Sequence, residues 1–246
     1  LQFLEVLSRA YNGAVEAGGP FAIAALDRLA RWVKTFADQL DNAQPAPGMD
    51  EKAIGALRRN LRSVSDPLRK KAIQTWTDSY QKAVSSEALS PSLPAISDEI
   101  AFARGASTAQ GGEPTFRLAA IASDGGKEGA RFSFQRSRDR LLKNAQDAAS
   151  WVDYGNLLWG EGKPGLARLA YDRALAIQPK NPSALTNGAV VGTLTEGLSD
   201  WSAVLEGVDF LNQALKTDEF FLSAKMNKAA LLNFFRVFAK ARPLWE

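Results

Sequence analysis

Residues Ala148–Asn181 read AASWVDYGNLLWGEGKPGLARLAYDRALAIQPKN, and no other stretch constrains the architecture as tightly. Trp151, Tyr154 and Leu158 fall at helical spacing and form the inward stripe of one amphipathic helix. Gly162 ends that helix. Pro164 suits the first turn of a second helix, where its missing N–H would be unpaired anyway. Gly155 and Ala167 are small, as two antiparallel helices crossing closely require. Tyr171 and Ala174 are expected to face the first helix of a following unit, and Pro179 to close this one.

These residue types at these spacings resemble the tetratricopeptide repeat (TPR), and internal similarity extends the pattern. The triplet Ala167–Tyr171–Ala174 recurs as Gly207–Leu211–Ala214, then as Ala241 and Trp245, and upstream as Ala130–Phe134–Ser137. First helices are predicted at Phe116–Asp124, Pro182–Leu194 and Leu222–Arg236. In the last, Ala229, Leu232 and Asn233 hold the places of Gly155, Leu158 and Trp159. About six extra residues between Thr195 and Ser202 predict a longer loop there. The upstream copy is degenerate, and the glycine turn Gly125-Gly126-Lys127 is its strongest feature. The expected fold class is all-α, an α-α superhelix with an additional N-terminal helical region. It divides into helical hairpins over 1–104, a linker over 105–114 and a repeat array over 115–246. The array is degenerate over 115–147, clear over 148–181, variant over 182–221 and truncated over 222–246.

The N-terminal half reads as helices of no assigned family. Leu1–Glu16 is broken by Gly18 and Gly19, with Pro20 opening a helix whose stripe is Ala22, Leu26, Leu29, Val33, Phe36 and Leu40, charges opposite. Pro45–Gly48 ends that unit. A pair Asp50–Val64 and Pro67–Ser85 is predicted, with Asp66 as cap before Pro67. Pro91 and Pro94 mark a turn before a short helix over Ser97–Ala103. The chain starts at Leu1 and stops within a repeat, so a fragment or processed form is expected, with an apolar face left for a partner.

Composition narrows the chemistry. The 246 residues include no histidine and no cysteine. Imidazole-based triads, zinc–thiolate sites, Fe–S clusters and disulfides are therefore excluded. Carboxylate or lysine catalysis and Mg²⁺ or Ca²⁺ sites survive composition. However, the pairs Asp98-Glu99 and Asp218-Glu219 point in different directions on a helix, and the glycine pairs lack phosphate-loop context. The expectation is a non-enzyme with no cofactor and no metal. With 46% hydrophobic and 23% charged residues the chain can bury a core, and no run is apolar enough to cross a bilayer.

The TPR resemblance implies a concave groove lined by first helices and suited to a peptide or partner subunit. In that register the groove residues are Asp153, Asn156, Trp159, Asn187, Asn227 and Asn233. The recurring asparagines can donate to and accept from a ligand backbone without reading its side chains, or serve local structure. As groove positions, Trp159 and Asn187 are expected to tolerate alanine without loss of melting temperature. TPR proteins that capture C-terminal carboxylates need bases where this chain has Val152, Ser223 and Asn227, so that capture is not expected.

Residues 51–150 hold 16 basic and 11 acidic side chains. The patches Arg58, Arg59, Arg62, Arg69, Lys70, Lys71 and Arg136, Arg138, Arg140 give the alternative partner, nucleic acid or another anionic surface. Solvated helix faces are the simpler reading. The tail Ala229–Arg236 with Lys240–Trp245 is similar to repeat proteins of bacterial gliding-motility machinery. That similarity implies a larger complex at the cell envelope, with the periplasm as the expected compartment and the cytoplasm as the other.

Overall fold

The structure, a computed structural model, describes residues 2–106, 112–119 and 134–245. Its described residues form eleven helices and no strand: α1 Gln2–Ala17, α2 Gly19–Asp41, α3 Glu51–Ser86, α4 Leu93–Ala103, α5 Phe134–Lys143, α6 Ala148–Gly160, α7 Pro164–Ile177, α8 Pro182–Glu196, α9 Trp201–Thr217, α10 Leu222–Phe234 and α11 Phe238–Trp245. Helices pack chiefly against their neighbours in sequence, α2 on α3, α6 on α7, α7 on α8 and α8 on α9. No described helix is long and apolar enough to cross a membrane. The chain forms two compact units, one of residues 1–112 with Phe234–Val237, the other of residues 113–233 with 238–246.

In the first unit, Gly18 turns the chain between α1 and α2 with φ +74°, and Pro20 lies in the first turn of α2. The buried face of α2 is Ala22, Ile23, Ala25, Ala30, Val33 and Ala37, with Asp27 among them. The predicted stripe is therefore rotated, and one charge lies inside it. Asp27 is tolerated because its carboxylate accepts the indole N–H of the fully buried Trp76 at 3.0 Å and pairs with Arg31 at 3.1 Å. The helix pair predicted over 50–85 is one continuous helix, α3. Asp50 caps it, accepting the Ala53 N–H at 2.7 Å, and Pro67 sits in its interior. Asp66 is no cap: its carboxylate pairs with Arg69 at 3.3 Å. Helix α4 begins earlier than predicted, taking Pro94 into its first turn. Residues Phe234–Val237 belong to this unit through a hydrogen bond from the Tyr80 hydroxyl to the Arg236 carbonyl and an ion pair between Arg236 and Asp98 at 2.6 Å.

In the second unit, α6 and α7 realise the two helices read from Ala148–Asn181. The side chain of Asp147 caps α6, Gly162 turns with φ +71°, and Pro164 opens α7. A Cβ added at Gly155 would lie 2.4 Å from the Tyr171 ring, so glycine is what lets that fully buried ring cross α6. In the next pair a Cβ added at Gly188 would press on the Phe210 ring at 3.2 Å, and one at Gly207 would meet the Thr193 hydroxyl at 2.6 Å.

The longer loop expected near 195–202 is absent. Helices α8 and α9 have 15 and 17 residues against 13 and 14 in α6 and α7, so the extra chain is mostly taken up as helix. The helix predicted from Phe116 is also absent over the residues described. Glu113–Ala119 has no helix, strand or turn, and its alternating burial, with Pro114, Phe116 and Leu118 half-buried and Glu113, Thr115 and Arg117 exposed, is that of an extended chain. The glycine turn Gly125-Gly126-Lys127 lies outside the described residues.

Candidate functional site

Asparagines on α6, α8 and α10 converge on that extended segment. Asn187, fully buried on α8, accepts the Ala119 N–H at 2.6 Å on its Oδ1 and donates from Nδ2 to the Ala119 carbonyl at 3.1 Å. Asn227, 1% exposed on α10, does the same at Arg117. Its Oδ1 accepts the N–H at 3.0 Å, and its Nδ2 donates to the carbonyl at 2.8 Å. Residues two apart in an extended chain present their N–H and C=O groups along one edge. Two side-chain amides thus occupy the place of a neighbouring strand.

A third asparagine fixes the orientation of the ladder. Asn156 Oδ1 accepts both the Tyr171 hydroxyl and Asn187 Nδ2, each at 2.8 Å. With its oxygen engaged twice, its Nδ2 is directed at the Ala119 carbonyl, 3.4 Å away. Burial pushes the Tyr171 phenol up, so it stays a protonated donor. The segment runs from α10 at Arg117 to α8 and α6 at Ala119, opposite to the order of the helices in the sequence.

Apolar contacts seat the same residues. Leu118 packs against the cluster of Ala148, Val152, Leu158, Ala167, Tyr171 and Ala174, and Ala119 is 1% exposed. The amide hydrogen bonds, at about 1 kcal/mol net each, fall short of the cost of ordering the segment, about 1–2 kcal/mol per residue. Burial of Phe116, Leu118 and Ala119 supplies the remainder.

The other predicted groove residues have different surroundings. Trp159 is half-buried against the same cluster, alongside Trp151, Tyr154 and Leu118, so it is packing rather than an open contact. Asn233 is half-buried and makes no hydrogen bond to the segment. Asp153, one turn before Asn156 on the same face of α6, is 4% exposed. Its Oδ2 lies 3.5 Å from Arg140, and its Oδ1 has no partner among the described residues. Burial pushes this carboxyl up, against the opposing pull of Arg140. Asn187 does not meet the expectation of a freely substitutable surface residue. Alanine there would leave the buried Ala119 N–H without an acceptor, at about 1–3 kcal/mol, and its carbonyl with only the long contact to Asn156.

The basic residues are dispersed. Arg69 is bound by Asp38, Asp41 and Asp66, and Arg140 by Asp153, while Arg138 lies 3.8 Å from Asp139. Arg58, Arg59, Arg62, Lys70 and Lys71 are exposed on α3, and Arg136 is exposed on α5. Arg58 and Arg62 line a polar recess with Asp41, Asn42 and Gln44.

Sequence reasoning singled out Asn156, Asn187, Asn227 and Asn233, and the first three meet a segment whose sequence reads as helix. Pro114, Phe116 and Leu118 alternate with period two, which is the one local signal of an extended stretch, and it is too short to stand alone. Compared with known proteins, the chain matches no family model and no curated sequence.

Proposed function

We propose that the second unit is a TPR-like α-solenoid and that it works as a non-catalytic scaffold, holding an extended polypeptide from a peptide or partner subunit in a concave groove. The observation that carries this reading is the double amide clamp, Asn187 on Ala119 and Asn227 on Arg117. Amides that pair with backbone N–H and C=O hold any extended chain and leave selectivity to the pockets for alternate side chains, as strand addition does. Asn227 stands where carboxylate-capturing relatives of the repeat need a base, and here it serves the backbone of an internal residue. That favours recognition of internal segments over chain ends.

A selection of displayed peptides on the full chain tests this. Selected peptides should carry apolar residues at alternate positions and bind equally well with an amidated C-terminus. Asn227→Asp, which keeps the shape of the side chain and loses its donor, should weaken them. Ligands that are amphipathic helices, or that require a free carboxylate, would contradict the reading.

A further inference from the structure

Resting on that reading, we infer that Pro114–Ala119 is a built-in occupant of the groove. The partner is then an extended segment of another protein that displaces it, with an apolar residue, any residue, an apolar residue and a small residue in succession, as in Phe116-Arg117-Leu118-Ala119. Four observations converge on this. Every hydrogen bond that the asparagines make to the segment uses its main-chain atoms, which any peptide offers. Glu113–Ala119 makes no backbone–backbone hydrogen bond to any described residue, so among the described residues it is held by the ladder and side-chain packing.

The third observation is that the Tyr171–Asn156–Asn187 relay lies entirely among the helices, which keeps the clamp oriented whichever chain lies on it. The fourth is the burial pattern, which defines the specificity. Outward positions Thr115 and Arg117 are exposed and unread, Phe116 and Leu118 are half-buried, and Ala119 is buried, which favours a small side chain at that position. A groove filled by its own chain binds an external peptide with an affinity reduced by the fraction of time it is vacant.

The probe is a fluorescent peptide spanning Glu113–Ala119, acetylated and amidated, titrated into the full chain. Wild type is compared with Phe116→Asp/Leu118→Asp, which unseats the resident segment and leaves every asparagine in place. The variant should bind at least roughly tenfold more tightly than wild type. N-methylation of the peptide at the Ala119 nitrogen should abolish binding, while N-methylation at Leu118, whose N–H the ladder does not use, should leave it unchanged.

Equal binding by wild type and variant would overturn self-occupancy while the groove reading stands. No binding by either, with the variant's helical circular dichroism intact, would overturn both. If the variant fails to fold, hydrogen exchange on the wild type decides. Protection of its own Arg117 and Ala119 amides should fall as the peptide saturates, and protection that persists with peptide bound overturns the proposal.

Discussion

The two units bury polar groups in different ways. In the first, the buried carboxylate of Asp27 meets the side chains of Trp76 and Arg31, and the half-buried Arg69 gathers Asp38, Asp41 and Asp66. These contacts tie helix to helix. In the second unit the most buried amides, Asn187 and Asn227, meet the main chain of a segment that is not helical. An asparagine buried on a helix leaves a fold two ways to satisfy it, and here the partner is a backbone. That contrast is the ground for the proposal that the second unit, and not the first, holds a polypeptide.

The largest break in this comparison is expected from Trp76→Ala. Losing a fully buried indole costs about 3–5 kcal/mol and leaves Asp27 without its donor. Hydrogen exchange should show α2 and α3 opening, with the Arg117 and Ala119 amides of the second unit unchanged. Asn187→Ala is the counterpart. It should lower stability by about 3 kcal/mol and deprotect Ala119, with α2 and α3 unaffected. If the Ala119 amide exchanges as slowly in that variant as in wild type, the clamp is not what protects it.

Gly155→Ala comes next. The added methyl group collides with the Tyr171 ring, an overpacking cost of about 1–3 kcal/mol, partly offset by the better helix propensity of alanine, about 1 kcal/mol. Tyr171→Phe should recover none of the net loss, because the ring carbons that the methyl group meets remain in phenylalanine and the donor to Asn156 is removed as well. Urea midpoints of the single and double variants measure this.

The smallest effect is a pH dependence of opposite sign in the two units. The Ser65 hydroxyl and then the Arg69 guanidinium hold Asp41 below the ordinary carboxylate range. Its folded pKa is depressed, so its contribution is complete above the ordinary value and is lost as pH falls through the lowered one. Burial raises Asp153, so its penalty is present at neutral pH and is relieved as pH falls through the raised value. Asp153→Asn should flatten the response of the second unit between neutral pH and the ordinary carboxylate range. Asp41→Asn should change only the response of the first unit at lower pH. An Asp153→Asn profile that overlays wild type would remove this contrast.

Local patterns made the helices of Ala148–Asn181 legible, because glycine, proline and the Tyr171 stripe act within one unit. The asparagine face was legible for the same reason, since Asp153 and Asn156 share a helix face by spacing alone. What joins distant residues was not legible. Asn187 and Ala119 are 68 positions apart, Asn227 and Arg117 are 110 apart, and Asp27 and Trp76 are 49 apart. Nothing in the neighbourhood of Asp27 marks it as buried, because its partner lies on another helix. Phe116–Ala119 read as a helix start because Pro114 followed by apolar residues fits that pattern as well as it fits a short extended stretch. Only the asparagines of α8 and α10 decide between the two. Pro67 misled in the other direction. Its i−4 carbonyl belongs to the exposed Ser63, where water can take the place of the missing N–H, and α3 continues through it.

The central claim is that asparagine side chains hold the backbone of Glu113–Ala119, and amide hydrogen exchange resolved by residue on the wild-type chain tests it most directly. The N–H groups of Arg117 and Ala119 should exchange roughly tenfold or more slowly than those of Phe116 and Leu118, because only the former donate to Asn227 and Asn187. Four amides exchanging at one rate, fast or slow, would contradict it.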